Sequence, residues 1–504
     1  MKFRKVVSAV CAAVMGISSL SAAVPAFAAD VNTLKSVVAT STVPKGYVGI
    51  YDLNDLEEVR DNLDGKYILM KDVSLSNENW EPIGEQEKPF TGVFDGNGYT
   101  IDNLTYQMEI SESAHYNIGL FGVTDDAVIT NLAVTNVDID INDTITQIPV
   151  SVGVVVGSIS TTHILNCSSS GNIDLVLSGD IYAGGIVGEA VSSEKTFITN
   201  CLNETKITVE AKSDYTSDFP VQRYTQVGGI IGMGNKQCPV TGSINKGSIN
   251  VTDRINLMRV GGIAGSIEAA VTNCGNIGEI NVNGLGYAGG ICGSGYTIEN
   301  SYNSAKVTMT GNSNTKFDGF GGIAGSVNLE SASTYSMRRT VAVNGVVNCY
   351  YTDANDKSVH NTDEGVILSV KALTEDEMIQ AQSYDGFDFE NVWMASDGST
   401  PTIKSDINKI ETSIEILENE YYAVPFELLS INSNNLDIAV IENGQIKGVS
   451  SGTTSVEILT SDGQFEIIEV TVPGESDDTD NRSILGKIAD FFKSIFQVLF
   501  GFIK

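Results

Sequence analysis

The stretch "VGGIAGSI", Val260 to Ile267, decides how this chain is read, because nearly the same string recurs along it. "AGGIVGEA" begins at Ala183, "VGGIIGMG" at Val227, "AGGICGSG" at Ala288 and "FGGIAGSV" at Phe320, with degenerate forms "NIGLFGVT" at Asn117 and "SVGVVVGS" at Ser151. A glycine-rich phosphate cradle is built once, ahead of a helix. The last glycines of these copies, Gly122, Gly157, Gly188, Gly232, Gly265, Gly293 and Gly325, instead fall 28 to 44 residues apart, the period of stacked supersecondary units.

A second signature lies between the glycine strings: "ITNLAVTNVDI" at Ile129, "ILNCSSSGNIDL" at Ile164, "ITNCLNETKITV" at Ile198, "VTNCGNIGEINV" at Val271, "IENSYNSAKVTM" at Ile298 and "VVNCYY" at Val346. The alternating β-branched residues that follow indicate strands, and no convincing helical stripe interrupts Leu75 to Val370. Short strands at a long fixed period pair their backbones by coiling, each strand bonding to its equivalent one turn on. The fold class expected is therefore all-β, a parallel β-helix solenoid. Equivalent residues then stack, which predicts an amide ladder of Asn131, Asn166, Asn200, Asn273, Asn300 and Asn348 in one turn. Cys167, Cys201, Cys274 and Cys349 share the next position with Leu132 and Ser301, which points to buried filling, with a disulfide or reactive role as the alternative. The paired glycines are expected to supply positive φ and close approach at a corner.

The repeated G-G-I-x-G and I-x-N-C-x-N-x-G patterns resemble the GLUG motif of bacterial secreted and surface proteins. "WEPIGEQEKPFTGVFDGNGYTIDNLTY", from Trp80, is similar to the coil that precedes such repeats, and "GFDFENVWMASDGSTPTI", from Gly386, to the segment that closes them. The resemblance implies a right-handed β-helix on a cell-surface protein, some members being attached to peptidases. Peptidase chemistry does not transfer, since no H-E-x-x-H occurs and His115, His163 and His360 each lack a second histidine at metal-ligand spacing.

The ends of the chain suggest the rest of the organisation. Residues 1–29 read as a secretory signal: Lys2, Arg4 and Lys5, an apolar run, then Ala26-Phe27-Ala28. A linker follows over 30–46 and the solenoid with its caps over 47–405. Leu53, Leu56, Val59 and Leu63 define a capping helix from Asp52, and Thr374 to Glu377 form a capping box at the far end. Residues 408–473 carry hairpin signals at Asn443-Gly444 and Asp462-Gly463, and their N-G-x-I-x-G-V-x-x-G-T-x-x-V pattern from Asn443 to Val456 resembles the bacterial immunoglobulin-like domain of group 2, a spacer or adhesive β-sandwich. After an acidic linker, 474–481, the segment 482–504 is expected to form an amphipathic helix. Phe491, Phe492, Ile495, Phe496, Leu499, Phe502 and Ile503 lie on its apolar face, and Lys487, Asp490 and Lys493 make a spanning helix a poor reading. Contact with a membrane surface is the leading expectation for it, with self-association and docking on the body as alternatives.

The net charge of −33 excludes nucleic acid as a natural partner. Asp95 and the alternating Asp138, Asp140 and Asp143 are candidate carboxylates for sugar chemistry or calcium, set against a plain turn and a solvated strand face. "GVSSG" at Gly448 matches a serine-hydrolase pentapeptide around Ser450 but sits between two strands rather than on a strand-to-helix elbow. Recognition is expected from the longest insertion, through Tyr215, Phe219, Arg223 and Tyr224. The sequence thus reads as a secreted bacterial surface protein, an adhesin-like or scaffold module for a host glycan or matrix protein. That reading has no cofactor, no metal and no enzymatic activity, and leaves the oligomeric state open. A polysaccharide lyase or glycoside hydrolase on the same fold and a membrane-active protein are the competing readings.

Overall fold

The computed structural model describes residues 39–40, 42–75, 79–108, 116–143, 148–191, 194–212, 223–311, 319–327, 345–362, 367, 369–395, 398–404, 413–424, 428–460 and 465–474. The signal sequence, the acidic linker from 475 and the C-terminal segment 482–504 lie outside them, as do Tyr215 and Phe219.

Each coil of the solenoid contributes to three parallel sheets. One has ten short strands, from Val48–Ile50 to Gly345–Val347, and another has eight, from Phe121–Asp125 to Val359–Thr362. The third has nineteen and includes the long strands Ala133–Asp143, Ser168–Leu177, Leu202–Ala211, Ile249–Gly261 and Ile280–Gly289. Pairing is between equivalent positions one coil apart: Ile173 lies beside Ile207, Ile207 beside Ile249 and Ile249 beside Ile280. One continuous core of isoleucine, valine and leucine runs inside, from Ile50 to Val359.

Both sequence signatures have a mechanical explanation, which differs from the expected one. In four of the five coils whose complete G-G pair is described, the second glycine faces an inward asparagine; in the fifth, Gly322 faces the Tyr351 ring. A Cβ on Gly185, Gly229, Gly262 or Gly290 would lie 2.2–2.3 Å from Cγ of Asn203, Asn245, Asn276 or Asn303 respectively. These four fully buried asparagines form the continuous amide ladder. Asn203 Nδ2 donates to Asn245 Oδ1 (2.7 Å), Asn245 to Asn276 (2.7 Å) and Asn276 to Asn303 (2.8 Å), and each amide also donates to the backbone carbonyl two residues on. In the earlier coils Leu120 and Val154 stand where the glycine would be, and Val134 and Ser169 where the asparagine would be. The degenerate copies are thus the coils before the ladder starts.

The glycine pairs do not take positive φ; they are required for space alone. Positive φ belongs instead to Asn131, Asn166, Asn200, Asn273, Asn300 and Asn348, at 47–54°, with Gly242 (φ 61°) filling the place in the coil that lacks the asparagine. Asparagine tolerates this left-handed corner better than most side chains. Amide bonds between neighbours are confined to Asn166 to Asn131 (3.2 Å) and Asn348 to Asn300 (3.1 Å), with Asn131 bonded to Asp95. The predicted ladder is therefore a column of turns, and the true ladder lies three residues further on.

The six described cysteines are free and buried. Cys167, Cys201, Cys274 and Cys349 each donate Sγ–H to the carbonyl two residues back at 3.2–3.4 Å, the bond that Ser243 and Ser301 make with a hydroxyl in the alternate coils. Burial pushes the Cys201, Cys274 and Cys349 thiols up to about 12.

At the N-terminal end, Asp52 caps the helix Leu53–Glu57, which continues as a 3-10 turn to Asp61 and sets Leu56 and Val59 into the core. The Thr374 capping box is present, but the helix it starts, Glu375–Met378, is one turn long. Residues 378–395 and 398–403 lie along the solenoid's flank. Met378, Tyr384, Phe387 and Trp393 pack on the outward column Leu202, Ile244, Tyr302 and Tyr350.

The C-terminal module has a four-stranded and a three-stranded sheet around Ile414, Ile446, Val456, Ile458, Ile468 and Val470. Asn443 (φ 54°) and Gly444 (φ 75°) form the expected hairpin turn between Ala439–Glu442 and Gln445–Gly448. The first strand, Ser413–Glu415, pairs in parallel with Phe465–Val472. The module does not extend away as a spacer but packs against the first coils. Leu459 and Phe465 meet Ile68, Met70, Val93 and Leu165. Within this contact the buried Glu457 carboxylate accepts from Lys66 Nζ (2.7 Å), Tyr47 Oη (2.8 Å) and Asn434 Nδ2 (3.1 Å).

Candidate functional site

Register places one outward residue of each coil in a line: Asn117, Ser151, Tyr182, Gln226, Arg259 and Tyr287. The strands carrying Tyr182, Gln226, Arg259 and Tyr287 end at the G-G corners, and those carrying Asn117 and Ser151 at a single glycine. After the corner the fifth-position glycine lies back against the strand just left, so that a Cβ on Gly232 would come within 2.9 Å of the Gln226 carbonyl and 2.6 Å of the Ala183 nitrogen. The result is an acute inner corner with a floor free of side chains. Gln226 is 5% exposed and Ser151 0%, although both belong to the outer column.

Polar capacity along this line is unused. Asn117 Oδ1, Ser151 Oγ, Gln226 Oε1 and Arg259 Nε are buried atoms without a hydrogen-bond partner. The Arg259 guanidinium stands over the Tyr224 ring, 5.2 Å from its centroid. The Tyr182 hydroxyl is pushed up to about 12 by burial, reinforced by the nearby carboxylates of Asp180 and Glu189. At the C-terminal end of the line the His360 imidazole fills the space a side chain on Gly319 would take, 6.5 Å from the Tyr287 ring, with Lys357 Nζ 2.7 Å from its Nδ1.

Of the recognition residues expected from sequence, Tyr224 belongs to this strip, opening the strand Tyr224–Gly228, and Arg223 directly precedes it, its carbonyl accepting from Leu257 N at 3.3 Å. Tyr215 and Phe219 fall outside the described residues, as do Phe491, Phe492, Ile495, Phe496, Leu499, Phe502 and Ile503. Among the described residues no helix is long and apolar enough to cross a membrane. Gln226, Arg259 and Tyr287 were not singled out from sequence. Their signal was the residue two places before each G-G pair, visible only once the register is known.

The other candidates are structural. Asp95 Oδ1 accepts from Asn97 N (2.8 Å) and Asn131 Nδ2 (3.0 Å), a turn-stabilising arrangement. Asp138 and Asp140 line an outer strand face, and no group of metal-ligating side chains occurs among the described residues. The Ser450 hydroxyl donates to the Asp437 carbonyl, in a loop between two strands. A further concavity of about 420 Å³ beside the N-terminal cap is lined by Glu57, Arg60, Asp61, Trp80 and Glu81, but Arg60 is engaged there, stacked 4.3 Å from the Trp80 ring and donating to the Glu81 carbonyl.

No family model matches the chain. In sequence it is similar to halomucin of Haloquadratum walsbyi, at 33% identity over 155 residues, covering 28% of this chain and 2% of that protein, so it spans a small fraction of that relative's length. Among solved structures it is similar to a Bacteroides ovatus protein provisionally assigned as an immunoglobulin A1 protease, at 15% identity and TM-score 0.44, over 74% of this chain and 96% of that one. It is also similar to an IgA1 protease, at 16% identity and TM-score 0.33, over 55% and 21%. Likeness at this level transfers no residue role and no substrate. It does correct one expectation: both structures carry the name of a protease, and the reading of this chain as lacking enzymatic activity is withdrawn. The physical reason is that one solenoid scaffold accommodates many chemistries, so repetition of structural residues is no argument for inactivity.

Proposed function

We propose that the chain is a secreted bacterial surface protein, adhesin-like, whose solenoid presents a recognition strip to a host glycan or matrix protein. The carrying observation is the line of four buried, unpartnered polar atoms beside Tyr182, Tyr224 and Tyr287 on an outer face. A buried polar atom without a partner costs about 1–3 kcal/mol, so the column marks hydrogen-bonding capacity that a ligand seated on the half-buried Asn117 and Arg259 side chains would draw on, while the fully buried Ser151 lies beyond its reach. The leader at 1–29 and the acidic composition support an extracellular location, and the apolar face of 482–504 supports a tether at a membrane surface.

Full-length protein incubated with a panel of host glycans, mucins and matrix proteins is expected to retain at least one of them; retention of none overturns the reading. Co-sedimentation with anionic liposomes, with and without residues 482–504, tests the tether, and equal pelleting of the two forms removes it.

A further inference from the structure

We propose that the strip from Asn117 to Tyr287 binds an extended glycan bearing carboxylates, laid along the solenoid axis with one carboxylate on Arg259. This rests on the recognition reading above and narrows it to one ligand class.

Three observations lead there. The first is spacing: adjacent strands are about 4.8 Å apart, so six coils offer a track on the order of 24 Å long, one side chain per coil. A compact ligand would use one or two of these positions, whereas a linear chain spans those on either side of the fully buried Ser151. The second is the sense of the unpaired atoms. Asn117 Oδ1 and Gln226 Oε1 are acceptors, which suits the hydroxyl donors that every sugar ring carries. Arg259 Nε is a donor in a planar fork, which suits a carboxylate. The third is charge. In a chain of net −33, this strip brings Arg259 into line with Tyr287, which neighbours His360 and Lys357. The cations lie at the Arg259 end, whereas Asp180 and Glu189 stand by Tyr182 further along, so an anionic group is selected at Arg259 and repelled elsewhere on the strip. The phenol rings of Tyr182 and Tyr287 add faces on which sugar rings stack.

The test is titration calorimetry of the full chain with a galacturonate hexamer, with sialyllactose and with cellohexaose as the neutral control. A carboxylated probe is expected to bind at least tenfold more tightly than cellohexaose. Preference for the galacturonate hexamer supports an extended chain with internal carboxylates, and preference for sialyllactose, which spans only part of the track, overturns the extended ligand. Arg259→Gln should lose about tenfold or more in affinity, and Arg259→Lys should recover only part of it. Gln226→Leu should weaken binding without lowering the melting temperature, because the amide oxygen it removes has no partner in the protein; a purely structural Gln226 would show the reverse. Equal affinity for neutral and carboxylated probes, or unchanged affinity in a folded Arg259→Gln, overturns the proposal. Should Arg259→Gln fail to fold, the comparison of probes on the parent chain and the Gln226→Leu variant still decide. Binding to a matrix protein but to none of the three glycans sinks this inference and leaves the wider reading standing; binding to nothing in either panel sinks both.

Discussion

At the scale of single residues, the glycines of the repeat differ sharply in what they tolerate. Gly262 is pinned between the Gly290 carbonyl oxygen, 2.2 Å from an added Cβ, and Cγ of Asn276. Gly262→Ala should therefore cost about 3 kcal/mol or more in thermal unfolding, since backbone cannot move aside as a flexible side chain can. Gly295→Ala, whose Cβ would meet nothing nearer than 3.4 Å, should be nearly neutral. His163 supplies a pH test. Its pKa is lowered by burial from 6.5 to about 4, and its ring lies 5.3 Å from Phe197. The unfolded chain therefore takes up this proton first on acidification. The neutral ring's contribution is complete above pH 6.5 and declines as pH falls towards 4, on the order of 3 kcal/mol in all. His163→Phe should flatten the stability profile across that window; an unchanged slope in denaturant titrations would refute the assignment.

At the scale of elements, the buried amide column is the most exposed to a single change. Asn245→Ala removes the donor to Asn276 Oδ1 and leaves that oxygen orphaned in the interior. A loss of about 2 to 3 kcal/mol is expected by denaturant unfolding. Asn281→Ala, which breaks an exposed 3.2 Å amide bond to Asn250, should cost less than about 1 kcal/mol. The existence of repeating strands was legible because β-branched alternation and a long glycine period leave few alternatives to a coil. Which asparagines bond to one another was not. Two asparagines recur three residues apart in the motif, and only the inward direction of Asn203, Asn245, Asn276 and Asn303 separates a ladder from a turn.

At the scale of the whole molecule, the C-terminal module is held by a buried carboxylate that joins residues 410 positions apart, Tyr47 and Glu457. Lys66 and Asn434 complete its shell. Removing one member of such a buried set typically costs about 3–5 kcal/mol. Glu457→Ala should release the module from the first coils, raising the radius of gyration in small-angle scattering while the solenoid's strand signal in circular dichroism persists. An unchanged radius would show that the apolar contact of Leu459 and Phe465 with Ile68 and Leu165 suffices alone.

The sequence by itself determined the coil, its period and its corner residues, because backbone pairing between equivalent positions imposes the same local demand every turn and so writes itself repeatedly. It also singled out Tyr224, through the one long insertion. Only the tertiary structure decided that Gln226, Arg259 and Tyr287 fall in one line, with unpartnered buried atoms on Gln226 and Arg259, and that the C-terminal module folds back onto the first coils. Those features depend on which way side chains point and on surface complementarity between distant segments, and neither leaves a period in the chain.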